Sequence, residues 1–192
     1  MVYEGRIAEF SAGKLVGEFK GLVSILSEYR ILPSLYRLII KVLVSKKNFI
    51  KVFASSKLKF GINLKEYVNV HFIKNISDVH RHIKMLYAHY LSGYSLSFRY
   101  LIIVDARYYV MLCELQYYKA YRMLNDVLAI LSYLSRVMNL TSIIMSSIPL
   151  TYIVSDVHSS LLRELLARWS KQIFKVVNLR GENVRIFLDK LM

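Results

Sequence analysis

Tyr100-Leu101-Ile102-Ile103-Val104-Asp105 is the stretch whose reading decides the fold. A continuous apolar run closed by a carboxylate reads as a strand buried on both faces, because a half-exposed strand alternates polar and apolar residues. Its acid then stands at the carboxyl edge of a parallel sheet, where α/β folds place their ligands. From Lys119 onward, Ala120, Met123, Leu124, Val127, Ile130, Leu131, Leu134, Val137 and Met138 repeat at helical spacing, which predicts an amphipathic crossover helix. Asn139 is suited to stop it in a left-handed turn. Ser142-Ile143-Ile144-Met145-Ser146-Ser147 then starts the next strand, which makes the unit strand, helix, strand.

Upstream, Phe49 to Phe53 and Val68 to Phe72 read as strands, joined by a basic connection from Ser55 to Glu66. Ser77-Asp78 offers an N-cap for a helix through about Tyr90. Pro33 opens another, carrying Leu35, Leu38, Ile39, Val42 and Leu43, since proline is tolerated in a first turn. Arg6 to Phe10 and Lys14 to Val16, around Ser11-Ala12-Gly13, suggest a hairpin or a bent edge strand. The residues from Gly17 to Ser24 open a helical pattern that runs to about Tyr29. Downstream, Ser155-Asp156 caps a helix holding Leu161, Leu162, Leu165 and Leu166. Arg180-Gly181-Glu182-Asn183 then turns Lys171 to Leu179 back into Val184 to Leu188, a terminal hairpin. Strands alternating with helices predict an α/β domain with a mostly parallel central sheet flanked by helices and a C-terminal antiparallel hairpin. The 192 residues suit one domain spanning 1–192.

The net charge of +14 favours a polyanionic partner. From Arg30 to Tyr90 there are twelve Lys or Arg against Glu66 and Asp78, so ten of the fourteen net charges fall in one-third of the chain. Tyrosines and phenylalanines lie among them, and cations that track phosphates beside aromatic faces that stack bases suit a single strand. Lys46, Lys47, Lys51, Lys57 and Lys59 are the candidates there. Arg107, with Tyr117, Tyr118, Lys119 and Arg122, forms a second group after the central strand. One cysteine, Cys113, excludes an internal disulfide framework and fits a reducing, cytoplasmic compartment. No apolar stretch reaches the roughly 18 to 20 residues of a spanning helix, so no membrane is expected. Glu4 and Glu9 with no cleavage-like motif argue against a signal peptide. His80 and His82 stand two apart on a predicted helix and share no face, so no metal is expected.

Three places together resemble the core ATPase domain of the RecA/RadA recombinase family. Leu101 to Asp105 resembles its Walker B strand. Thr141 to Ser147 is similar to its next strand, which ends in a polar sensor residue and leads to a DNA-binding loop. Leu166-Ala167-Arg168-Trp169-Ser170-Lys171-Gln172-Ile173, with Arg180-Gly181-Glu182-Asn183-Val184-Arg185-Ile186, resembles its closing hairpin. The resemblance covers about Lys14 to Leu188 and implies a RecA-like three-layer fold. It places a nucleotide site at Gly17, Gly21, Ser24 and Asp105. In that register Leu22 and Val23 stand where the second glycine and the lysine of a phosphate loop belong, so the site is degenerate. A register ending at Gly13-Lys14 puts Leu15 where a hydroxyl is needed. Neither supports phosphoryl transfer, and ATP and magnesium are not expected as cofactors. The implied function is a non-catalytic RecA/RadA-like paralogue that binds single-stranded DNA, a recombinase or itself, and assists homologous recombination and DNA repair. Two alternatives stand beside it: an ATPase using Lys14 or Lys20 in an atypical loop, and a structural subunit of a recombinase complex.

Overall fold

The computed structural model describes residues 6–55, 66–106, 117–147 and 157–188. Eight strands form one sheet in the order β1-β8-β7-β2-β6-β5-β3-β4. The strands are β1 Arg6–Ser11, β2 Leu22–Ser27, β3 Ile50–Ala54, β4 Val68–Phe72, β5 Tyr100–Val104, β6 Thr141–Ser147, β7 Gln172–Arg180 and β8 Asn183–Leu188. From β7 to β4 every neighbouring pair is parallel, while β8 pairs antiparallel with both β7 and β1. The sheet is therefore mostly parallel with an antiparallel margin.

The helices are α1 Ala12–Gly17, α2 Leu32–Ser45, α3 Ile76–Leu91, α4 Tyr117–Val137 and α5 Val157–Trp169. Strand residues alternate between two cores because successive side chains point to opposite faces. Leu22, Leu26, Leu101, Ile103 and Ile144 pack under α3, α4 and α5. Val23, Ile25, Ile102, Val104, Ile143 and Met145 pack under α1 and α2. Helices thus cover both faces, as buried parallel strands require. Among the described residues no helix is long and apolar enough to cross a membrane.

The central unit forms as its pattern predicts: Leu101 to Val104 are buried on both faces, and Asn139 takes φ 52° after α4. The terminal hairpin turns at Gly181, φ 61°, a left-handed position that glycine occupies without a Cβ clash. Three elements differ from the sequence reading. The run from Leu22 is a strand with all six residues buried, not a helix continuing to Tyr29. Ser11 caps a helix, its side chain accepting from the Lys14 N–H, so Lys14 to Val16 is no hairpin arm. Arg6–Ser11 instead pairs with β8 from the far end of the chain. Asn75, ahead of Ser77, caps α3 by accepting from the Asp78 N–H.

Candidate functional site

After β2 the chain turns to the face of α2, whereas after β6 and β5 it passes to the opposite face with α5 and α4. The carboxyl ends of β2 and β6 therefore flank a crevice of the kind in which open α/β sheets bind ligands. Ser27 and Ser147 are register partners at its floor. Ser147 donates from Oγ to Asp105 Oδ1 at 2.8 Å, and Asp105 follows the last residue of β5 with φ 60°. Left-handed backbone is uncommon outside glycine and gathers at functional positions. Ser27 Oγ is buried with no hydrogen-bond partner among the described residues, although a buried hydroxyl normally has one.

Asp105 thus occupies the edge that the sequence assigns it, but the rest of the nucleotide site does not join it. Gly17 ends α1, Gly21 leads into β2, and Ser24 lies mid-strand with Oγ 2.6 Å from Ser170 Oγ. Leu22 is level with Ser142 and hence with Leu101. Gly21 therefore lies five residues back from Asp105 along parallel strands, about 16 Å at ~3.3 Å per residue. These glycines enter a strand, whereas a phosphate loop leaves one and opens a helix.

The junction with that geometry is Ser27-Glu28-Tyr29-Arg30-Ile31-Leu32-Pro33-Ser34, between β2 and α2, which sequence reasoning missed. Laid on G-x-x-x-x-G-K-[ST], it keeps the closing hydroxyl as Ser34 but puts Ser27, Leu32 and Pro33 at the glycine, glycine and lysine positions. Three of its N–H groups are also spent on a local turn: Ile31 and Leu32 donate to Glu28 O, and Ser34 donates to Ile31 O. Pro33 has no N–H to offer. The signal was present, since an apolar run followed by a proline in a helix's first turn marks a strand-to-helix junction. Lys20 sits ahead of β2 at the opposite edge. Lys14 lies over the Phe10 ring at 5.6 Å beside β1, five strands from β5, or roughly 24 Å at ~4.8 Å per strand. Neither cation stands near Asp105.

The basic residues divide between the two edges. Lys46 and Lys47 follow α2 at the amino edge and are exposed. Tyr117 opens α4, and Tyr118, Lys119 and Arg122 lie exposed on its first two turns. Lys119 and Asn139 are separated by the length of α4, about 30 Å at ~1.5 Å per residue. Lys51 is not an open phosphate contact: it is half-buried on β3, its Nζ 5.6 Å from the Phe98 ring centre and 5.9 Å from that of Phe53. Burial lowers its pKa below the usual lysine value. Lys57, Lys59 and Arg107 lie outside the described residues. His80 meets Asp126 at 3.3 Å, while His82 Nδ1 is 2.8 Å from the Asp78 carbonyl oxygen, so the two rings serve different neighbours. Among the described residues no group of three metal-ligating side chains assembles.

The chain matches no protein-family model, and no curated protein matches it significantly.

Proposed function

We propose that this chain is a non-catalytic RecA/RadA-like paralogue that binds single-stranded DNA, associates with a recombinase or with itself, and assists recombinational repair in the cytoplasm. The observation that carries this reading is the carboxyl edge. A strand-to-helix junction at β2 and a carboxylate-terminated strand at β5 flank β6 at one edge of the sheet, the placement that a phosphate loop and a magnesium-holding acid need. Yet the junction has neither glycine nor lysine, and the N–H groups of Ile31, Leu32 and Ser34 are already bonded within the turn. Phosphoryl transfer relies on positioning and charge neutralisation, and the junction lacks the glycines and the lysine that supply them in a phosphate loop, its one cation being Arg30.

Binding to DNA is supported by the surplus of positive charge and by its disposition. Lys46, Lys47, Lys119 and Arg122 are exposed and form no ion pair among the described residues. Association is supported by β4, the last strand on its side of the sheet, whose outer backbone groups suit the addition of a partner strand. Phosphate release from Mg-ATP, with and without single-stranded DNA, tests the non-catalytic part. No turnover is expected, and DNA-stimulated release abolished by Asp105→Asn would refute it.

A further inference from the structure

The amino edge of the sheet carries a groove that the nucleotide-site logic does not use. Two contiguous cavities of about 390 and 380 Å³ share Leu96, Phe98 and Met138. Lys47, Phe49, Arg99 and Asn139 line the first, and Tyr94 lines the second. Lys47 and Arg99 are exposed, with no ion-pair partner among the described residues. Phe49 is 53% exposed and Tyr94 67%. Phe49 packs against Tyr67 with the ring centres 5.5 Å apart, and it lines the same cavity as the two cations.

The backbone adds an independent sign. Lys47 closes α2 in a Schellman turn: its N–H bonds Val44 O at 2.8 Å and the Asn48 N–H bonds Leu43 O at 3.2 Å. Its φ is 55°, the position at which helices usually place glycine. Across the same cavity Asn139 ends α4 at φ 52°. A lysine held where glycine fits with less strain, at the mouth of an aromatic-lined cavity, is the kind of outlier from which function is inferred. Lys47 and Asn139 stand at helix ends and Phe49 and Arg99 directly ahead of β3 and β5, so four of the rim positions are tied to helix or strand ends, while Tyr94 lies in the connection from α3 to β5.

We propose that this amino-edge groove holds one or two nucleotides of a single-stranded DNA, with Lys47 and Arg99 on phosphates and Phe49 and Tyr94 stacking bases. The inference rests on the DNA-binding reading above and assigns it to one edge of the sheet, away from Tyr118, Lys119 and Arg122. Cation and aromatic together are what a sequence-tolerant single-strand site requires.

The test is anisotropy of a labelled oligo-dT across a salt series, using the full chain and its variants. Lys47→Gly is expected to lower the salt slope by about 0.7 while raising the unfolding temperature by about 2 °C or more, because glycine relieves the left-handed strain. A merely structural Lys47 would give the second change without the first. Lys47→Gly with Arg99→Ala should lower the slope by about 1.4. Phe49→Ala with Tyr94→Ala should weaken binding about 5- to 150-fold per base lost, with the slope unchanged. If the wild type binds and these variants bind equally well, or if the loss falls only on Lys119→Ala with Arg122→Ala, the groove is overturned while the DNA-binding reading stands. If the wild type does not bind oligo-dT even at low salt, the reading beneath it fails as well.

Discussion

Two serines side by side at the crevice floor should respond to the same substitution with opposite sign. Ser27 and Ser147 are register partners on adjacent parallel strands, and both are buried. Ser147 Oγ donates to the carboxylate of Asp105 at 2.8 Å, and Asp105 is itself only 8% exposed. Ser147→Ala removes a hydrogen bond to a charged group, a loss of about 2 kcal/mol. Ser27 Oγ is buried without a partner among the described residues, so Ser27→Ala removes an unsatisfied group and is expected to stabilise by about 1 kcal/mol. The two variants should therefore differ by about 3 kcal/mol, or roughly 6 to 12 °C in Tm for a chain of this size. Urea unfolding should separate their midpoints by about 1.5 M if the slope is ~2 kcal/mol per molar and unchanged between variants. A Ser27→Ala protein destabilised as much as Ser147→Ala would refute the reasoning, since it would mean that the Ser27 hydroxyl is bonded and the crevice floor is wet.

Acid should weaken the fold through His71, whose pKa lies below the ordinary 6.5 because of burial first and then the charges of Lys51 and His82. The folded state then binds fewer protons than the unfolded one, so stability is full above pH ~6.5 and falls as pH drops from there through the folded-state value. Urea midpoints from pH 7.5 to 5 check this, and His71→Phe should flatten that decline. Phe53 is fully buried, with the His71 and His82 rings 5.6 and 5.7 Å from it. Phe53→Ala should cost about 3 to 5 kcal/mol, read by the same unfolding curve.

The central unit was legible because its signals are local. Tyr100 to Asp105 is too apolar to be half-exposed and ends in an acid, and Asn139 is a residue that tolerates a left-handed helix end. Leu22 to Ser27 was not legible in the same way, since a short apolar run carries no period that separates strand from helix. The glycines at Gly17 and Gly21 then drew the phosphate loop to the wrong end of β2. Nothing near Arg6 announces a partner at Leu188, because pairing across the whole chain leaves no local trace. The crevice depends likewise on topology: Ser27, Asp105 and Ser147 come together only once β6 lies between β2 and β5. The groove is assembled from three helix or strand ends, at Lys47, Arg99 and Asn139. Lys47 gave no warning, because lysine is not a residue from which a left-handed turn is read.

The affinity of the full chain for a single-stranded oligonucleotide, measured without nucleotide across a salt series, tests the central claim most directly. Three to six phosphate contacts correspond to a slope of log affinity against log salt of about −2 to −4, which Lys47 and Arg99 in the groove together with further exposed cations of this strongly basic chain can supply. The account predicts a slope in that range, unaltered by added Mg-ATP. A slope near zero, or binding that requires ATP, would contradict it.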